Sequence, residues 1–410
     1  MRRAAKILIA GVVLATPLLP PLTAVATSQV VNDQTQTGDI TSSQTLDVVT
    51  VTDNSTATTT AVGNTVSAAV QAGPLDVQSN QSMQGQSNAS TVLNVAVDAG
   101  QTTLTTSASG NAGEADSLGG GAMTASIAQD ATSPLIRANS QIEASAGEAG
   151  DVSTSATALA NTQGIGSDGA AVNASVTQTS SATVEADGGA VLQYTGGTAS
   201  FSALAVSNNL TATGADGSTQ TISANQSMTG AHTQATHFIA VGNGQTIANA
   251  ATATANDIAA SNQGGALDVT DVQVNQGYVR GQAETTAFEF GSSSSSAMGV
   301  GNSATAAETG GFVSIDNTQS NSGAGVDVIA SSSGTTGFDL QSTATAMGNS
   351  VLAFSCSTCG GRVSARNQQS NSADIGASSS ISVAGSARSV TGVATAVGNS
   401  ATFYVSSPGS

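Results

Sequence analysis

The sequence is poor in the residues that form charged and aromatic binding sites. Its 410 residues include a single lysine, Lys6, and no tryptophan, and only 3% of the residues are aromatic and 8% charged. A protein that binds nucleic acid or an anionic membrane needs a basic patch to neutralise phosphates. The excess of 26 acidic over 8 basic residues argues against such a partner.

The N-terminus has the pattern of a Sec-type signal peptide. Met1 to Lys6 carry three positive charges, an apolar run follows from Ile7 to Leu19, and Ala24-Val25-Ala26 is an A-x-A cleavage site. We expect residues 1–26 to be removed and residues 27–410 to form one repetitive domain. The apolar run is too short for a comfortable membrane anchor. Five arginines then remain against 26 acidic residues, which gives a net charge of −21.

Disorder is the first alternative that such a polar, small-residue composition suggests. Two features argue against it: the sequence has only six prolines, and valine and threonine are abundant. Short runs such as Leu267–Val274 and Ser380–Ala384 alternate apolar and polar residues, which is the pattern of β-strands. Turn signals such as Asp187-Gly188 and Asp216-Gly217 separate the runs. We therefore predict an all-β fold.

Two residue types recur along the chain with a period of 46 to 50 residues in most copies. An asparagine ends stretches such as Thr-Ala-Thr-Ala-Met-Gly-Asn, and a glutamine precedes it by 30 residues in six of eight copies. The predicted glutamine positions are Gln34, Gln81, Gln129, Gln178, Gln226, Gln276, Gln319 and Gln369. The asparagine positions are Asn64, Asn111, Asn161, Asn208, Asn256, Asn302, Asn349 and Asn399. A fixed period over the whole chain predicts a repeat architecture of eight repeats.

Eight repeats of short strands predict a β-solenoid-like rod. Equivalent side chains then stack along the rod axis, and stacked Gln or Asn side chains form hydrogen-bonded ladders. If each repeat forms two rungs, sixteen rungs give a rod of about 75 Å. A series of small sandwich domains is the alternative, but the repeats are short for it. The first 190 residues contain no aromatic residue, and Phe403-Tyr404 predicts an end that caps the rod or meets a partner.

No catalytic constellation is recognisable in the sequence, and we predict neither enzyme activity nor a cofactor. Cys356 and Cys359 are the only cysteines. In an exported chain this C-x-x-C pair predicts a local disulfide, although a redox pair or half of a metal site has the same spacing. His232 and His237 have no carboxylate motif beside them, and we interpret them as bystanders rather than metal ligands.

The signal peptide, the segment Ser28–Gln36 and the recurring Thr-Ala-Thr-Ala-x-Gly-Asn-Ser stretch resemble the HfaD family of holdfast anchor proteins from stalked alphaproteobacteria. The resemblance covers the whole chain. It implies an outer-membrane-associated surface protein that attaches the holdfast polysaccharide to the cell. It also implies the partner anchor proteins HfaA and HfaB. It assigns no individual functional residue.

Two classes of function remain open from the residues. The first is a multimeric, secreted anchor on the extracellular face of the outer membrane. The second is a repetitive ligand binder or adhesin that binds carbohydrate or ice through threonine rows such as Thr56-Ala57-Thr58. Such rows are irregular here, which favours the anchor. A β-helical polysaccharide lyase is a weaker option, because its site needs carboxylates with Lys or Arg and the mature chain has no lysine.

Overall fold

The computed structural model describes residues 27–356 and 361–406. Within these residues the chain forms seventeen β-strands in two sheets, and every strand pair is parallel. No helix long and apolar enough to cross a membrane occurs in the part of the chain that is described. The prediction of an all-β, solenoid-like fold is confirmed.

Each repeat contributes one short strand and one long strand. The short strands form the eight-stranded sheet: β1 (Ser28–Gln36), β4 (Leu75–Met83), β6 (Met123–Ala131), β8 (Ala171–Ser180), β10 (Thr219–Met228), β12 (Ala266–Asn275), β14 (Phe312–Asn321) and β16 (Arg362–Asn371). In the first repeat the long strand is divided into β2 (Ile40–Val51) and β3 (Asn54–Val70). The other long strands are β5 (Ser87–Ser117), β7 (Ile136–Asp168), β9 (Val184–Ala215), β11 (His232–Gln263), β13 (Tyr278–Thr309), β15 (Gly325–Cys356) and β17 (Ile375–Ser406).

Each repeat makes one turn of the solenoid. Gln34 pairs in register with Gln81, and Asn64 pairs with Asn111, so every position lies directly beside its equivalent in the next repeat. The expectation of two rungs per repeat is therefore wrong: the eight repeats make eight rungs. At about 4.8 Å per rung the rod is about 38 Å long, half the length expected from sixteen rungs. The long strand is continuous around two bends, and this continuity takes up the residues that a second rung needs.

The long strand bends because its in–out alternation is interrupted at two places. In β9 and β11 the pairing register shifts between Gly244 and Thr246, which marks the first bend. At the second bend several consecutive residues face inward, for example Ala253 to Asn256. These bends divide each long strand into three legs. In β11, for example, leg 1 runs from His232 to Gly244, leg 2 from Thr246 to Ala253, and leg 3 follows Asn256.

Three apolar clusters fill the interior, and all run along the rod axis. The first lies between the start of leg 1 and the end of leg 2 and consists mainly of alanine, with Ile136 among the few larger residues. The second lies between the short strands and leg 3 and includes Val172 and Leu210. The third fills the first bend and holds the bulkiest residues, such as Phe201 and Phe290. Small side chains allow facing legs to approach closely, and larger ones fill the wider bend.

Two of the predicted turns have different outcomes. Asp216-Gly217 is a turn in which both residues have positive φ, 51° and 80°. Asp187-Gly188 lies inside β9, so the turn predicted there is wrong. A Cβ at Gly188 would lie 2.1 Å from the His237 ring, so this glycine makes room for the histidine of the next rung.

Candidate functional site

A glutamine ladder runs along the inner face of the short strands. The side-chain Nε2 of each glutamine donates to the Oε1 of the glutamine one rung nearer the N-terminus, at 2.7 to 3.0 Å. The ladder consists of Gln34, Gln81, Gln129, Gln178, Gln226, Gln273, Gln319 and Gln369. All of its side-chain donors therefore point toward the N-terminal end of the rod.

In the sixth repeat the ladder position belongs to Gln273 and not to the predicted Gln276. Gln273 bonds to Gln226 and Gln319, at sequence separations of 47 and 46. Gln276 follows the last residue of β12 and stands outside the strand. Only Gln273 keeps the alternation that turns a side chain inward, and it removes the irregular intervals that Gln276 introduces.

An asparagine ladder runs parallel to the first, at the second bend of the long strand. Its members are the eight predicted asparagines from Asn64 to Asn399. Each Nδ2 donates to the Oδ1 of the asparagine one rung nearer the C-terminus, at 2.7 to 2.8 Å. The two ladders therefore have opposite hydrogen-bond directions.

Each ladder amide other than that of the last asparagine, Asn399, also bonds to the backbone of the opposite wall. Gln178 Nε2 donates to the carbonyl of Asn209 at 2.8 Å, and Asn208 Nδ2 donates to the carbonyl of Ser227 at 3.0 Å. Both hydrogens of each interior amide are thus used. A buried amide is costly unless it is hydrogen-bonded, so the ladders hold leg 3 against the short strands only in the correct register.

The first bend forms an open groove on the outer surface of rungs four to eight. Its volume is about 930 Å³, and its walls carry hydroxyl, amide and carboxylate groups with aromatic rings, among them Tyr194, Asn243 and Glu289. Phe338 lines the same groove and is 60% exposed. Phe288 lines an adjoining opening at the end of leg 1 and is 57% exposed. Exposed aromatic rings next to polar groups form a surface with both apolar and hydrogen-bonding character.

A cation holds one aromatic residue in this groove. The Arg388 guanidinium lies 5.3 Å from the centroid of the Phe338 ring, and Arg388 Nε donates to Asp339 Oδ1 at 3.0 Å. The ion pair fixes the guanidinium over one face of the ring. The groove therefore presents an exposed aromatic ring beside a charge pair.

The two histidines lie apart and have separate surroundings. His237 is buried against Phe201, with ring centroids 5.5 Å apart, and burial lowers its pKa to about 4. His232 Nε2 lies 2.9 Å from Glu185 Oε1, and this bond, with the nearby Arg137, keeps the pKa of Glu185 below its usual value. Over residues 27–356 and 361–406 no group of three His, Cys, Asp or Glu side chains could hold a metal ion.

The predicted disulfide lies partly outside the described residues. Cys356 is the last residue of β15, whereas Cys359 falls in the segment between the two described ranges. The pairing of Cys356 with Cys359 therefore stays a prediction.

Together the fold and the ladders define a class of protein, a parallel β-solenoid repeat protein stabilised by amide ladders. Residues 49–325 match the family model of holdfast attachment protein D. The match covers more than half of the chain, so the chain belongs to the HfaD family, and the resemblance seen in the sequence is confirmed. The family name gives it a role in holdfast attachment, which suggests a structural task at the cell surface. No curated protein and no solved structure matches the chain.

Proposed function

We propose that this protein is a non-enzymatic anchor that holds the adhesive holdfast polysaccharide on the outer face of the cell. The family match supports the attachment role. The main observation in support of a polymer contact is the exposed aromatic groove at the first bend. A pyranose ring has an apolar C–H face and a rim of hydroxyl groups, and the groove offers aromatic rings and polar groups to both.

The groove and the adjoining opening together extend across several rungs, which suits a polymer better than a small ligand. Tyr194, Phe288 and Phe338 come from the fourth, sixth and seventh rungs, so they are spaced along the rod axis. Rungs about 4.8 Å apart place these rings at intervals comparable to the length of a sugar residue. Each contact is weak, but linked contacts along one chain can raise the avidity by about 10² to 10⁴.

The proposal includes a route to the surface and a set of partners. Residues 1–26 act as a Sec signal, and the mature chain associates with the outer membrane on its extracellular side. It works with the anchor proteins HfaA and HfaB and with further copies of itself. The acidic mature chain, with 26 acidic residues and five arginines, keeps the displayed protein soluble.

Deletion of the gene tests the role in attachment. Cells that lack the protein should still make holdfast but shed it, because synthesis is intact and only retention fails. Lectin staining of cells and of the culture supernatant measures both pools. If the polymer disappears from both pools, the protein belongs to synthesis or export and the anchor proposal is wrong.

A further inference from the structure

The two ladders give the rod two chemically different ends. In the described residues the last rung leaves Asn399 Nδ2 and Gln369 Oε1 without a ladder partner. The other amide atom of each residue bonds to the seventh rung, so these two atoms face the open end of the rod. At the first rung Asn64 Oδ1 receives no ladder bond, and Gln34 Nε2 donates only to the carbonyl of Thr65, at 3.0 Å. Each end therefore offers one donor and one acceptor, arranged in opposite order.

We propose that the last rung of one copy binds the first rung of a second copy, so that both ladders continue across the junction. Asn399 Nδ2 then donates to Asn64 Oδ1 of the second copy and to its Thr35 carbonyl. Gln34 Nε2 of the second copy donates to Gln369 Oε1. Each of these bonds repeats a bond that the rod makes at every internal step, for example Asn349 to Asn399 and Gln369 to Gln319.

The apolar rows also match across this junction. Following the pairing register from rung to rung aligns Ile40 with Ile375 and Leu46 with Ile381. All four side chains are only partly buried and pack at the ends of the first and third apolar clusters. A stacked copy covers them and pairs the open edges of the terminal strands, which otherwise remain templates for another chain.

The charges of the two terminal rungs are complementary. Residues 27–71 contain four aspartates, Asp33, Asp39, Asp47 and Asp53, and no basic residue. Residues 361–406 contain three of the five mature arginines, Arg362, Arg366 and Arg388, and one acidic residue, Asp374. An acidic end that faces a basic end favours head-to-tail contact and disfavours contact between like ends.

The ladder directions exclude contacts between like ends for a second reason. Two last rungs that face each other bring one Asn399 amide donor against another and set their strands antiparallel. Only a head-to-tail contact keeps the parallel register, and such a contact does not close on itself. The expected product is a polar filament in which each copy adds about 38 Å. This inference gives a geometry for the self-assembly that the proposed function includes. It rests on the proposed function only for its biological purpose.

The substitution Asn399→Asp tests the junction because it should weaken the contact with the next copy and leave the fold of each copy intact. The Oδ1 of the introduced carboxylate still accepts from Asn349, but the carboxylate has no donor for the next copy and repels Asn64 Oδ1. Thr395→Asp is the matched control, because it adds the same charge to the same strand at a position whose equivalent, Thr345, points away from the core. The full chain is produced with export, so that the host processes its N-terminus, and each variant is compared by circular dichroism and thermal unfolding.

Light scattering after size separation and electron microscopy measure the assembly. The wild type and Thr395→Asp should form filaments, and Asn399→Asp should need about tenfold or more protein to assemble to the same extent. Because its first rung is intact, a small fraction of Asn399→Asp should also cap wild-type filaments and shorten them.

Monomeric wild type at tens of micromolar, or equal assembly and no capping by Asn399→Asp, would overturn the head-to-tail junction. Neither outcome bears on the lectin assay, so failure of the junction is distinguishable from failure of the anchor role.

Discussion

The surface that carries the glutamine and asparagine ladders, which we call the ladder strip, has the most regular sequence and register in this protein. The first bend has the least regular. Along the ladder strip every rung places the same amide at the same position, with bond lengths between 2.7 and 3.0 Å. At the first bend the register shifts, for example between Ala144 and Glu148 and between Gly334 and Thr336, and residue types change from rung to rung.

The difference shows which positions determine the fold and which are free for recognition. A ladder residue contributes only if its neighbours above and below are the same, so the repeat is constrained there. The bend needs only enough bulk to fill its interior, so its outer residues can vary. Aromatic and charged side chains accumulate on that outer surface, where Phe338 and Arg388 lie.

The largest loss of stability should follow from a break in the ladder strip. Asn208→Ala removes the acceptor for Asn161 and leaves Asn256 Oδ1 and the Ser227 carbonyl without their donor. Each orphaned buried group costs about 1–3 kcal/mol, so we expect the free energy of unfolding to fall by about 3 kcal/mol or more. Denaturant unfolding followed by circular dichroism measures this change.

Asn209→Ala is the control for the ladder variant. Asn209 is the neighbouring residue and only half-buried, and only its backbone carbonyl takes part in the ladder contacts. Its substitution should change the stability by no more than about 0.5 kcal/mol. Equal effects of the two substitutions would contradict the role of the ladder.

A buried carboxyl group beside the ladders should give the next largest effect. Asp271 is buried in β12, and burial together with Asp316 raises its pKa to about 8. The side-chain amide of Asn317 lies beside this carboxyl group in the next rung, and its Nδ2 donates to Asp271 Oδ2 at 2.6 Å. Asp271 therefore lies buried next to an amide, and the charged group that acts on it is a second carboxylate rather than a basic partner.

The stability should fall as this group ionises. The folded pKa lies above the unfolded value of 3.8, so the contribution of Asp271 is complete below about pH 4 and is lost as the pH rises toward 8. Asp271→Asn should raise the stability at pH 8 by about 2 kcal/mol or more and have little effect at pH 4. Unfolding curves of both proteins at the two pH values check this; equal pH dependence would contradict it.

A smaller effect is expected from the cysteines. If Cys356 and Cys359 are bonded, the disulfide closes only a very short loop, and loop-closure entropy is small for short loops. Changing both to serine should lower the stability by about 2 kcal/mol or less and leave surface attachment intact. Peptide mapping without reductant should show the linked pair in the wild type, and free thiols with bound metal would contradict the pairing.

Much of the fold could be predicted from the sequence, because the determinants of stacking repeat at a fixed period. The asparagine row and seven glutamines lie at their predicted positions, since a ladder requires identical residues. The choice of Gln276 over Gln273 failed because two glutamines lie three residues apart, and the markers alone do not show which one faces inward. Leu267, Val269 and Asp271 face inward and alternate with outward-facing residues. This alternation extends to Gln273 and identifies it as the inward-facing glutamine.

The bends and the groove could not be predicted. The expectation of two rungs per repeat rested on typical strand lengths, whereas these long strands continue through their bends. The groove joins Tyr194 and Phe338, which lie 144 residues apart and share a surface only through the stacking register. Nothing in the local sequence around either residue indicates that they line one groove.

Removing aromatic rings from the outer surface of the first bend should have the smallest effect on stability. Phe288→Ala combined with Phe338→Ala deletes side chains that are mostly exposed, so the change should stay within about 1 kcal/mol. Phe312→Ala is the matched control, because Phe312 is also exposed but lies at the start of β14, on a different sheet. Thermal unfolding should not distinguish the two variants by more than a few degrees.

Holdfast retention by cells that carry these variants tests the division between fold and groove most directly. Antibody labelling measures the amount of protein on the surface, and lectin staining measures holdfast on cells and in the supernatant. The groove double variant should be displayed at the wild-type level and still shed holdfast, whereas Phe312→Ala should retain it. Full retention by the groove variant at equal display would contradict the assignment of the polymer contact to the first bend.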